Sequence, residues 1–149
     1  MSNVTIAEIA RITARTFGLP EDALTSPAVR IRAGQKRRGT PMSLALNTAA
    51  LLAQRHTASG MHTIGRELGR RDAPALVVGA ARIDEERHHD ADLAARIERI
   101  EAAIDAVHEA RLDEAEAVAA AHEAAAENRR RRLAGVLDAG IPRTVEGIP

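Results

Sequence analysis

The stretch His62–Asp84, HTIGRELGRRDAPALVVGAARID, decides the fold. Residues 62–68 read as a short helix, Gly69 breaks it, and Asp72 with Pro74 opens another. Aspartate accepts backbone N–H groups at a helix start, and proline is tolerated in the first turn because no donor is lost there. Leu76, Val77, Ala80 and Ile83 are expected to face inward. A short helix, a glycine turn and a longer helix form a helix-turn-helix outline. A groove reader carries hydrogen-bonding side chains at the tip of its second helix, yet here the tip is Ala73-Pro74-Ala75.

Working upstream, Thr5-Ile6-Ala7-Glu8 is a capping box that predicts a helix start. Ile6, Ile9, Ala10, Thr13 and Phe17 then recur at helical period until Gly18 and Pro20 stop them. Pro20–Leu24 reads as a single turn. Thr40-Pro41 repeats the start signal, and Met42, Leu46, Ala49, Ala50 and Ala53 mark the buried side of a helix running to about His56.

Downstream, Leu93, Ile97, Ile100, Ile104 and Val107 alternate spacings of four and three, a heptad seam of coiled-coil type. The seam then fails, because Arg111 and Glu114 occupy the next positions. Residues 108–128 are rich in alanine and glutamate, with high helix propensity and little to bury, so that helix is either exposed or seeks a partner. Glu127 with Arg131 and Asp92 with Arg96 are spaced for ion pairs one turn apart. Arg129–Arg132 complements the dipole at the helix end. The segment 139–149 is expected to be disordered.

The chain of 149 residues has a single aromatic residue, Phe17, and many of its apolar residues are alanine. One modest core built from Leu, Ile and Val is expected, and the fold class is all-α: a compact helical bundle with a helix-turn-helix and a long C-terminal helix. The absence of cysteine excludes disulfides, thiolate zinc sites and cysteine nucleophiles, and makes an intracellular address the expectation. No signal-peptide pattern opens the sequence and no segment has the length and apolarity to cross a bilayer, so a cytoplasmic protein without membrane contact is expected.

A formal net charge of zero hides a strong segregation. Residues 30–71 carry nine basic side chains (Arg30, Arg32, Lys36, Arg37, Arg38, Arg55, Arg66, Arg70, Arg71) against Glu67 alone. Residues 72–127 carry fifteen acidic side chains against five basic ones. A polyanion responds to the first block rather than to the average. Five cations lie within Arg30–Arg38 with no acid among them, and neutralising about five phosphates would give a log–log salt slope near −4.5. With no tyrosine or tryptophan there is no base-stacking platform, which favours duplex DNA over single strands or RNA.

These residues resemble the C-terminal DNA-binding domain of the bacterial chromosomal replication initiator DnaA. That family's opening helix, TIxxI…A…FG, is similar to Thr5-Ile6…Ile9…Thr16-Phe17-Gly18, and its short v-x-DL turn to Glu21–Leu24. A basic loop follows in both. The family signature, roughly IGxxFGGRDHTTVxHAxxKI, aligns without a gap on Ile64-Gly65-Arg66-Glu67-Leu68-Gly69-Arg70-Arg71-Asp72 and onward to Arg82-Ile83. The resemblance spans residues 4–104, with 105–138 as an Ala/Glu-rich helical extension. Two departures stand out: the family's histidine and two threonines are replaced by Ala73, Pro74 and Ala75, and the stretch between the basic loop and Ile64 is several residues longer than usual. The initiator's ATPase signature, G-x-x-x-x-G-K-[ST], is absent.

The resemblance implies that the second helix of the pair enters the major groove while an arginine of the basic loop probes the neighbouring minor groove. It places Arg71 and Asp72 against base edges. Phosphates then fall to Arg30, Arg32, Lys36, Arg37, Arg38, Arg66, Arg70, Arg71 and Arg82, while Ala73 and Ala75 offer only methyl contacts and Pro74 removes a donor. Asp72 has an alternative role as a plain helix cap. His88-His89 with Asp90 and Asp92 is a weak cluster without H-E-x-x-H spacing, and no catalytic motif occurs, so neither metal, cofactor nor enzyme activity is expected. The expected function is double-stranded DNA binding, in regulation of replication initiation at an origin or of transcription, associated with the nucleoid. The alternative is a helical interaction protein of the same fold that binds itself or a protein partner through the 93–128 helix, although the Leu93–Val107 seam is itself expected to pack within its own domain, as the last helix of the resembled family does.

Overall fold

The computed structural model describes residues 3–27 and 40–140. The basic loop with Arg30, Arg32, Lys36, Arg37 and Arg38, and most of the 139–149 tail, lie outside the described residues. Five helices and no strand occur among those described, so the fold is all-α. The chain divides into two compact units, Met1–Glu109 and Ala110–Pro149.

In the first unit, α1 (Ile6–Thr16) begins at the expected capping box: the Glu8 N–H donates to the Thr5 hydroxyl at 3.2 Å, and the Thr5 N–H donates to the Glu8 carboxylate at 3.2 Å. Gly18, at φ 71°, turns the chain out of the helix. The Pro20–Ser26 turn closes with the Ala23 N–H donating to the Pro20 carbonyl at 3.0 Å and buries Leu24 completely. Here Arg15 donates to Glu21 at 2.6 Å, and that hydrogen bond together with the guanidinium charge holds the Glu21 carboxyl below its ordinary value.

Helix α2 (Pro41–His56) starts at Thr40, whose hydroxyl accepts the Ser43 N–H at 3.1 Å. It is the central element, packed against α1, α3 (Met61–Glu67) and α4 (Ala73–Glu86). Ala45 and the whole run Thr48–Ala53 are buried, and the small alanines let neighbouring helices come close on several sides. Buried Thr48 returns its hydroxyl to the Leu44 carbonyl at 2.7 Å, whereas the fully buried Thr13 hydroxyl finds no hydrogen-bond partner among the described residues.

Helix α5 (Ala91–Gly140) starts at Asp90, whose carboxylate accepts the Leu93 N–H at 3.1 Å. Within the first unit, Leu93, Ile97, Ile100 and Ile104 are buried in the same core as α1, α2 and α4, with Val107 packed at its edge. The heptad seam is therefore an internal face of the first unit, as expected for packing within its own domain, and residues 93–107 offer no open apolar stripe to a second chain. Four-three spacing describes a helix stripe against any partner, its own bundle included. Arg55 pairs with Glu101 at 3.1 Å, and Arg96 lies 5.0 Å from the Phe17 ring centroid instead of pairing with Asp92.

The second unit contains the rest of α5. Glu127 and Arg131 form the expected pair at 3.3 Å, and Leu112, Val118, Leu133, Val136 and Leu137 are exposed. No helix is long and apolar enough to cross a membrane among the described residues.

Candidate nucleic-acid interface

Helices α3 and α4 meet through a turn at Leu68–Asp72 that needs two consecutive left-handed residues, Gly69 at φ 78° and Arg70 at φ 59°. The turn closes on the main chain: the Arg71 N–H donates to the Gly65 carbonyl at 2.7 Å and the Arg70 N–H to the Arg66 carbonyl at 3.2 Å. Both glycines are required by space. A Cβ at Gly65 would lie 2.6 Å from the Arg71 carbonyl oxygen, and one at Gly69 would fall on the Ser26 carbonyl. Arg70 has no such excuse of size, and a non-glycine residue in the left-handed region costs about 1–2 kcal/mol.

Asp72 caps α4, one carboxylate oxygen accepting the Ala75 N–H at 3.3 Å, with Pro74 in the first turn. Its capping role is thus observed. Ala73, expected at the exposed reading tip, is only 8% exposed, so its methyl packs inward. Val77, expected inside, is 48% exposed, and the buried stripe of α4 is Ala73, Leu76, Gly79, Ala80 and Ile83. Gly79 sets this rotation: a Cβ there would collide with the Asn47 side chain, so α4 approaches α2 along its glycine edge and turns Val77 outward.

The result is an open groove of about 540 Å³ between the first half of α2 and the outer face of α4. Arg71, Asp72, Ala75, Val78 and Arg82 line it from the turn and α4, and Ser43 and Asn47 from α2. Ser43 and Asn47 are polar residues one helical turn apart on α2, and sequence reading passed over them because they are distant in the chain from the helix pair.

Of the cations expected at the site, Arg66 and Arg70 are exposed, and Arg71 and Arg82 half-buried. The Arg71 Nε donates to the Leu68 carbonyl at 3.2 Å, tying that side chain to the turn. No ion pair is made by Arg66, Arg70 or Arg82 among the described residues, whereas Arg15, Arg55, Arg87 and Arg131 all have acidic partners. Between the arginines, the outer surface of α4 presents Pro74, Ala75, Val77 and Val78, the last 59% exposed. Such a surface carries cations at its ends and methyl groups along its middle, and few side chains able to hydrogen-bond. No family model and no curated protein sequence matches the chain.

Proposed function

We propose that the protein binds double-stranded DNA through the α3–α4 helix-turn-helix, gripping the backbone more than reading the sequence, in regulation of replication or transcription. The observation that carries this reading is Arg70. It is an exposed cation with no ion pair among the described residues, held at φ 59° in the turn between the two helices, where glycine would be less strained. Strain retained at such a position points to use of the side chain. The DnaA-like signature has glycine at this position, which fits the observed turn geometry, and arginine there adds a charge to the cluster formed by Arg66 and Arg71. The basic segment Arg30–Arg38 supplies further charge in the sequence for the same polyanion.

A helix N-terminus flanked by cations suits the approach of a phosphate backbone. Arg71 and Asp72 of the turn and Arg82 of α4 are polar groups in the groove available to bases, with Asn47 beside them. Thymine methyl groups are the complementary feature for Ala75 and Val78. The same exposed apolar strip favours, as a second reading, a protein partner on this face. Fluorescence anisotropy with an initiator-box duplex and a scrambled duplex over a salt series separates them. Binding to both, weakening steeply with salt, is the expected result; no binding to either at low salt overturns the DNA reading.

A further inference from the structure

Among the described residues of the second unit, the large apolar side chains Leu112, Val118, Leu133, Val136 and Leu137 are all exposed, Leu133 at 64%. At 3.6 residues per turn they fall within one arc of about 120° on α5. The middle of that arc holds Ala115, Ala119 and Ala126 with His122 among them, and the arc also contains Arg111, Arg129 and Arg130. A shallow recess on this face is lined by Arg111, Glu114, Ala115, Val118, Ala119 and His122. The helix is therefore apolar and bulky at both ends of the stripe and narrow at its waist.

Charge is distributed as unevenly as size. The first half carries Asp113, Glu114 and Glu116 against Arg111, and the second carries Arg129, Arg130, Arg131 and Arg132 against Glu127 and Asp138. We infer that this stripe is covered by a second copy of the chain running antiparallel to it. A register centred on Glu123 puts Glu116 level with Arg130 and Glu114 level with Arg132 of the second copy, and the reverse pairs form by symmetry. Leu133 then lies beside Leu112, and the waists face each other with the two His122 side chains between the alanines. Glu123 meets its own copy, one like-charge contact against four opposite ones. A parallel copy instead stacks acid on acid and arginine on arginine along the whole length, so charge selects the antiparallel arrangement. This inference is independent of DNA binding.

The test uses the full chain. Sedimentation equilibrium at about 100 µM is expected to give twice the 15.9 kDa chain mass, since dimerisation follows protein concentration. Leu133→Glu combined with Val136→Glu should raise the dimer dissociation constant by at least about tenfold. Its far-UV circular dichroism at concentrations where both proteins are monomeric should be unchanged, because both side chains are exposed in the single chain. The protein has no cysteine, so a mixture of Glu116→Cys and Arg130→Cys chains reports orientation under mild oxidation. A cross-link between the two variants is expected to dominate. A monomer at that concentration overturns the proposal, as does predominant cross-linking of Glu116→Cys to itself.

Discussion

The backbone N–H of Arg71 donates to the carbonyl of Gly65 at 2.7 Å, locking the turn between α3 and α4 onto the body of α3. Because a side chain at Gly65 would press on the Arg71 carbonyl, the two residues depend on each other for this close approach. Arg70 and Arg71 therefore project from a turn fixed to α3, and Arg66 lies in the last turn of that same helix.

Replacing Arg70 should separate stability from binding. Arg70→Gly relieves the left-handed strain and is expected to stabilise the first unit by about 1 kcal/mol, raising Tm by roughly 4–8 °C. The same change removes an exposed cation of the proposed interface, so duplex affinity should fall and the log–log salt slope flatten by about 0.9. Thermal melting and anisotropy on one preparation check both directions.

Asp72 lends itself to a paired substitution. Asp72→Ala loses the cap on Ala75 and should cost about 1 kcal/mol, whereas Asp72→Asn keeps a capping oxygen and should leave the urea midpoint nearly unchanged. Both remove a negative charge beside the arginine cluster and should tighten binding to either duplex alike. A loss confined to the initiator-box duplex would instead assign a base contact to the carboxylate.

Asn47 and Gly79 should be energetically coupled. Alanine is favoured over glycine within a helix by about 1 kcal/mol, but at position 79 its methyl group collides with Asn47. Gly79→Ala should therefore gain nothing in the wild-type protein and gain about 1 kcal/mol in an Asn47→Ala background. A urea double-mutant cycle gives the coupling directly; additive effects would place the two residues out of contact.

Thr13 is fully buried with an unpartnered hydroxyl. Thr13→Val keeps the shape and removes the desolvated group, so a stabilisation of about 1 kcal/mol is expected by chemical denaturation.

Much of the frame was legible in the sequence because its signals are local. Thr5-Glu8, Thr40-Pro41 and Asp72-Pro74 each announce a helix start through a side chain within three residues of the N–H it caps, and each start is where the structure puts it. What escaped depends on neighbours distant in the chain. Val77 reads as core by hydrophobicity, yet Gly79, which shows no hydrophobic signal, sets the buried edge because Asn47 needs its space. The Leu93–Val107 spacing marks an apolar stripe without saying whether a second chain or its own bundle covers it. Ser43 and Asn47 join Arg71 and Arg82 only after α2 and α4 have packed. The left-handed backbone of Arg70 had no residue-type signal at all, since glycine is the residue that usually advertises it.

The most direct test of the helix-turn-helix as the contact surface is a ¹H–¹⁵N NMR titration of the full chain with a DNA duplex at low salt. The account predicts the largest backbone shifts at Arg66, Gly69–Asp72, Ala75, Val78 and Arg82, reversing as salt is added. Saturable binding with its largest shifts elsewhere, or no shifts at low salt, would contradict it.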